Sequence, residues 1–282
     1  MVGKLLIDEK DAFLEYGVFV EQYGYKALIQ MPPFKSIDST EWPEYDGAEY
    51  DLSKPVLDTR TFPIPFCTID NSRHDKLFLH LSDTVYHDFV FTDLKKEYRL
   101  RLVNNSSLSF GIRIGKLTLS FADDFPSVTI TEPYDSGAAD VWQRGYELDE
   151  VDFSRFGIFV LNGTDDNLRK ISNVRQNLII SPKTENGIIY DDGKVLYKAR
   201  DVTLKLFIRS EDILTFWVRW NALFSALVKP EERVLNVRTL KKQYRCFYKS
   251  NSVSKFEILK NGHVWCEFSV TLTLSGIQNK DD

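Results

Sequence analysis

Cysteine is scarce in this 282-residue chain: Cys67, Cys246 and Cys266 are too few and too widely spaced for a disulfide framework. They read as reduced, mostly buried thiols of a cytoplasmic setting. Long apolar runs are missing as well. None approaches the ~18 residues needed to cross a bilayer, so no membrane role is expected. The opening MVGKLLIDEKDAFLEYG lacks the apolar core of a secretory signal. The expectation is synthesis in the cytoplasm and retention there unless an assembly carries the protein out. Neither G-x-G-x-x-G nor G-x-x-x-x-G-K-[ST] occurs, which disfavours nucleotide chemistry, and no serine sits in a G-x-S-x-G elbow. Positive charge is not in excess: 36 Lys and Arg face 41 Asp and Glu, a net charge of −5. That balance argues against a protein that grips a nucleic-acid backbone.

What is present points to β structure. Aromatics make up 13% of the chain, with 20 Phe and 13 Tyr, and rings pack well on a pleated surface. The length suits two domains of ~140 residues, each able to bury a core of its own.

An internal repeat divides the chain. Leu94–Phe110, LKKEYRLRLVNNSSLSF, matches Leu240–Phe256, LKKQYRCFYKSNSVSKF, at eight of seventeen positions, against roughly one by chance. Upstream, YGVFV at Tyr16–Val20 faces FGIFV at Phe156–Val160, and Arg60-TFPIPF faces Arg200-DVTLKLFI. Tyr45-Asp46-Gly47 and Tyr190-Asp191-Asp192-Gly193 are paired turn signals. Gly115-KLTLSF answers Gly262-HVWCEF, so that the landmarks keep one order with offsets of 140 to 147. We therefore expect a first unit at 1–125, a linker at 126–150 and a second unit at 151–282, with Val128–Ile130 a candidate extra strand of the first unit.

Period-two patterning dominates both copies. Phe62, Ile64 and Phe66 alternate with Pro63 and Pro65, and prolines cannot donate to a ladder, so an edge strand or loop rim is expected there. Leu117, Leu119 and Phe121 alternate, as do Phe268, Val270, Leu272 and Leu274. In the LKKxYR segments Tyr98, Leu100 and Leu102 share a face, with Tyr244, Cys246 and Tyr248 as counterparts. The NNSS and SNS stretches that follow read as hairpin turns. One segment breaks the period: Ile213, Trp217, Trp220, Phe224 and Leu227 recur every three or four residues between Glu211 and Val228, with Pro230 as a stop. In the first copy Asp70-Asn71-Ser72 can open a helix through Leu77, Leu81 and Val85, although a strand fits FLHLSDTVYHDFVF too. The fold class is mainly β (α+β): two tandem β-sandwich or open-barrel units, each with one packed helix.

Candidate chemistry is thin. His74, His80 and His87 fall within fourteen residues, but a metal needs converging ligands, and the second copy has no histidine there. They read as solvent-facing polar residues beside a buried stripe. His263 and Cys266 are three apart on an expected strand and so face opposite sides. Asp123-Asp124, Asp165-Asp166 and Asp191-Asp192 sit in turn contexts. No catalytic site, metal or cofactor is expected, and the chain reads as a non-enzyme. The strand-entry pairs Lys95-Lys96 and Lys241-Lys242 read as charges guarding an exposed edge; the alternative is pairing with acids of a neighbouring subunit. Trp42, Tyr45 and Tyr50 lie in a loop too long for a hairpin connection, either a contact surface or a cover folded over the unit's own core.

Taken together, an aromatic-Gly pair (Tyr16-Gly17, Phe156-Gly157), a long loop, an alternating strand, a helix and a closing hairpin resemble phage tail proteins. The first unit is similar to the N-terminal domain of siphophage distal tail proteins, here as a tandem duplication and without a galectin-like C-terminal half. The resemblance implies a structural component of a phage or prophage tail, a distal-tail or baseplate ring or hub around the DNA channel. It further implies a homo-oligomer, either a trimer with pseudo-sixfold symmetry or a hexamer, in contact with other tail and baseplate proteins. Such a protein is assembled in the host cytoplasm and resides in the virion tail. An acidic balance suits a lumen through which DNA passes without specific binding. The alternative is a non-catalytic carbohydrate- or protein-binding β-sandwich module using exposed Trp42, Trp142 and tyrosines.

Overall fold

A computed structural model describes all residues except 43–44, 70–72, 111–113, 133–144, 177–178, 191–192, 194 and 279–282. The first unit comprises β1 (Leu5–Ile7), β2 (Lys10–Asp11), α1 (Ala12–Tyr16), β3 (Val18–Val20), β4 (Ser39–Thr40), β5 (Glu49–Tyr50), β6 (Arg60–Thr68), α2 (His74–Leu81), β7 (His87–Phe91), β8 (Lys96–Phe110) and β9 (Gly115–Asp123). The second comprises β10 (Tyr146–Leu148), β11 (Val151–Asp152), β12 (Ile158–Val160), α3 (Thr164–Arg169), β13 (Ile179–Ile180), β14 (Ile189–Tyr190), β15 (Arg200–Ser210), α4 (Ile213–Leu227), β16 (Arg233–Val237), β17 (Lys242–Ile258) and β18 (Val264–Gln278). Each unit builds a seven-stranded sheet. The orders β2-β1-β7-β8-β9-β6-β3 and β11-β10-β16-β17-β18-β15-β12 coincide position by position. The duplication read from the sequence is thus a duplication of topology. No described helix is long and apolar enough to cross a membrane.

The strand register sharpens the repeat. Val18 pairs with Thr68 and Ile158 with Ile208, an offset of 140. His87 pairs with Leu100 and Arg233 with Cys246, an offset of 146. Thr68 pairs with Gly115 and Ile208 with Cys266, an offset of 151 for β9 and β18. Two insertions explain the steps: α4 is longer than α2, and the β17–β18 hairpin, with its strands, extends further than the β8–β9 hairpin. Gly115 therefore corresponds to Cys266 rather than to Gly262, which occupies the tip with φ 85°. Likewise Ser39 pairs with Tyr50 and Ile179 with Tyr190. That register aligns Gly47 with Gly187 and not with Gly193, so the shared Tyr-Asp signal was displaced.

Local chemistry accounts for the aromatic-Gly anchors. Asp11 accepts from the Phe13 and Leu14 amides to start α1, and Gly17 ends it in the left-handed region. In the second copy Asp152 caps a 3-10 turn, Phe153–Phe156, which Gly157 ends in the same way. Tyr16 and Phe156 are both buried just before the glycine turns the chain into the next strand.

The alternating residues of β6, β9, β15 and β18 point inward as expected and are buried. Beside them, α4 lays Ile213, Phe216, Trp220 and Leu223 on the core, with Trp220 edge-on to Phe268 at 4.7 Å. Asp212 caps this helix at the Leu214 and Thr215 amides. The buried side chains of the two units form one continuous cluster.

Several expectations need correction. β6 is an edge only over its first part: β9 pairs along all of it, and β3 covers only Phe66–Thr68, so the stretch with Pro63 and Pro65 has the open side expected there. Pro63 and Pro65 are tolerated because their missing donors face the side that β3 leaves largely open, where the Pro65 carbonyl takes the Glu21 amide at 2.8 Å. The NNSS and SNS stretches are not turns. They lie inside β8 and β17, at register shifts that let long strands bend. In FLHLSDTVYHDFVF both readings hold in turn, a helix to Leu81 and a strand from His87, with Val85 outside the helix; Asp70-Asn71-Ser72 lies outside the described residues. Val128–Ile130 forms no strand; instead the Ser225 hydroxyl donates to the Thr129 carbonyl at 3.0 Å. The second sheet takes its first strand at Tyr146–Leu148, within the segment read as linker.

Candidate functional site

The long loop of the first unit crosses to the second unit. Leu28 and Ile29 are buried at its root. Beyond them the Met31 amide donates to Asn251 Oδ1 at 3.1 Å, and the Tyr248 hydroxyl donates to the Met31 carbonyl at 3.3 Å. Phe34 meets Tyr248 edge-on at 5.7 Å, and Tyr50 packs on Phe247 at 4.7 Å. Further along, the Gly47 amide donates to the Tyr197 carbonyl at 2.8 Å, and the Tyr197 amide returns a bond to Asp46 Oδ1 at 2.8 Å. Ala48 donates to the Ser275 carbonyl at 3.2 Å, and the Glu231 amide donates to the Leu52 carbonyl at 2.9 Å. This is an arm, not a lid over its own unit. An arm of backbone groups and aromatics spread over another unit's strands satisfies its donors there rather than in water.

Arg175 anchors the far end. It is buried and donates to the Trp42 carbonyl at 2.6 Å and to the Gly47 carbonyl. No motif pointed to Arg175, to Asn251 or to Tyr248 as a seam residue; only the fold brings them together. Trp42 is half exposed and donates to Glu49 Oε2 at 2.8 Å, while Tyr45 is exposed. Burial, with the charges of Asp201 and Glu41 nearby, raises the Tyr50 hydroxyl above its ordinary value. Trp142 lies outside the described residues.

The lysine pairs do not guard an edge. β8 lies between β7 and β9, and β17 between β16 and β18. Lys95 and Lys241 both adopt positive φ, 48° and 52°, in the turns that lead into these strands. Lys96 lies over the Trp217 ring at 5.2 Å, and Trp217 Nε1 donates to the Leu94 carbonyl at 2.7 Å. Lys96 is thus a seam residue, whereas Lys241 and Lys242 are exposed. A cleft of about 690 Å³ opens along the same seam, lined by Phe19, Val20 and Tyr25 of the first unit and by Phe256, Ile258 and Leu259 of the longer second hairpin.

Two histidines read as solvent-facing are not. His87 is buried and His80 nearly so, although one is on a strand and the other on a helix. His80 Nε2 and His87 Nδ1 face the same Asp8 Oδ2 at 2.8 and 2.6 Å. Asp8 Oδ1 also accepts from the Asp88 amide at 2.8 Å. Burial opposes ionisation of Asp8, but the bonds from His87, Asp88 and His80 outweigh it and hold the carboxyl below its ordinary value. The three ligand atoms lie within 4.8 Å of one another, the one such grouping among the described residues. Two ligands of one tetrahedral zinc stand about 3.3 Å apart at bond lengths near 2.0–2.1 Å. The spacing at Asp8 is that of hydrogen bonds, and the group reads as a packing triad. The three cysteines are buried and free, with burial pushing Cys246 up to about 12.

The arrangement defines a duplicated β-rich protein whose two units are joined by polar and aromatic contacts. No protein-family model matches the chain, and no curated protein matches it in sequence. Among solved structures it is similar to the crystal structure of the SPP1 Dit (gp 19.1) protein, described as a paradigm of the hub adsorption apparatus in phages infecting Gram-positive hosts. The likeness covers 96% of this chain and 98% of that one at 11% identity, with a TM-score of 0.34.

Proposed function

We propose that the chain is a non-catalytic structural component of a phage or prophage tail, a distal-tail or baseplate ring or hub element surrounding the DNA channel. The observation that carries this reading is the duplication itself. Two units of one strand order stand beside each other, and an arm of the first lies on the long strand of the second. A contact between equivalent units that is made head to tail repeats until it closes. A trimer then gives six units in a pseudo-sixfold ring; a hexamer gives two tiers. The net charge of −5 suits a channel that lets DNA slide without tight phosphate contact. Partners are other tail and baseplate proteins, the place is the virion tail, and no cofactor is required.

Light scattering over a concentration series, with negative-stain images of the heaviest species, tests the proposal. Rings of three or six chains are expected. A monomer at every concentration counts against it.

A second reading, a carbohydrate- or protein-binding module, is favoured by one feature. Trp42, Tyr45 and Tyr50 border a recess of about 440 Å³ that also holds Glu232 and Arg245. Glycan-array binding by a monomer, lost in Trp42→Ala, supports that reading instead.

A further inference from the structure

The two arms are counterparts, but only the first lies on a long strand of another unit. Isolated bridges Phe34–Leu57 and Val174–Tyr197 repeat at an offset of 140, as do the β4–β5 and β13–β14 ribbons. In the first arm Met31 is 4% exposed; its counterpart Ile171 is 78% exposed. Phe34 packs on Tyr248, whereas Val174 is 53% exposed. Ile180 and Ile189 on the second ribbon are exposed too.

The glycines give an independent sign. Gly47 and Gly187 both hold positive φ, 76° and 92°. A side-chain carbon at Gly47 would overlap the Ser275 carbonyl, while one at Gly187 would meet nothing within 4 Å. Gly47 is pressed against a strand. Gly187 keeps the same conformation against open space.

The vacant seat is on the first unit. Phe247 and Tyr248, which receive the first arm, are buried; by the offset of 146 their counterparts on β8 are Arg101 and Leu102. Leu102 is only partly buried, and its chain neighbour Val103 is an exposed apolar side chain.

We propose that the second arm, through Ile171 and Val174, seats on β8 of the first unit of another copy of this chain, as the first arm seats on β17 through Met31 and Phe34. The inference rests on the ring reading above and specifies its contact. Every seam is then of one kind, covalently joined within a chain and non-covalent between chains. Apolar side chains exposed at equivalent positions of the second arm are what a heterologous interface between copies would bury.

The test uses the full chain and two readouts. Ile171→Asp and Val174→Asp alter exposed side chains, so both should melt as the parent does yet associate roughly tenfold or more weakly. Leu79→Asp, exposed on α2, is the control that should still assemble. Separately, a Val174→Cys chain mixed with a Leu102→Cys chain should cross-link through a short bis-maleimide, and a Val174→Cys chain mixed with Leu79→Cys should not. Rings that persist in both Asp variants without the cross-link overturn the arm contact and leave the ring reading standing. A parent chain that stays monomeric at every concentration overturns both.

Discussion

Phe34 of the first unit stands edge-on to Tyr248 of the second, ring centroids 5.7 Å apart and planes at 83°. Tyr248 also lies 5.9 Å from Phe224 of α4 and donates to the Met31 carbonyl, so one fully buried side chain ties arm, strand and helix together. Burial pushes its hydroxyl well above the usual tyrosine value, keeping it a neutral donor. Tyr248→Ala should lower stability by about 3–5 kcal/mol in denaturant unfolding, as for large aromatic truncations. In a double-mutant cycle Phe34→Ala and Tyr248→Ala should show a coupling of about 0.5–1.5 kcal/mol. Additive effects would mean that the arm is not held by this pair.

Trp217 reaches across the seam to the Leu94 carbonyl at 2.7 Å beneath Lys96. Trp217→Phe keeps a ring but removes the donor, leaving that carbonyl without this bond. The expected cost is about 1–2 kcal/mol, read from the unfolding midpoint. An unchanged midpoint would show that water replaces the bond at no cost.

Gly47→Ala and Gly187→Ala separate backbone strain from crowding. Both positions need positive φ, and a non-glycine residue there costs about 1 kcal/mol or more. Only Gly47 also has the Ser275 carbonyl in the way. Gly47→Ala should therefore be the more destabilising in the monomer, measured by thermal melting; equal losses would refute the close approach.

Acid should act on the Asp8 triad in a defined window. The Asp8 carboxyl is held below its ordinary value of 3.8, so its contribution is complete above that pH. That contribution is lost as pH falls through the depressed folded value. The stability gap between the parent and Asp8→Asn should be smaller below pH ~3.8 than just above it. A gap that persists at lower pH would assign the effect of Asp8 to packing alone. Because the spacing fits hydrogen bonds, exhaustive chelation should leave the melting temperature unchanged; a drop would reinstate a metal.

Much of the fold was legible because its determinants are local. Alternation at Phe62, Ile64 and Phe66 requires a strand wherever one face is buried, and the spacing of Ile213, Trp220 and Phe224 requires a helix. Polar residues misled where the signal was composition: Asn104 and Asn251 look like turn residues but lie inside bent strands. Pro63 and Pro65 marked the open side of β6 but not its place inside the sheet, since the cost of a missing donor depends only on which neighbour it faces.

By itself the sequence determined the duplication, the β-rich class, the strands of each core and the capped helix α4, because those follow from side-chain periodicity over a few residues. Only the tertiary structure decided where the arms go, which lysine meets Trp217, that Asp8 gathers two distant histidines, and how far the offsets drift from 140 to 151. Those outcomes depend on pairing between segments far apart in the chain. Such pairing is set by strand register and by which unit offers a free face, and neither quantity is written in any one stretch of residues.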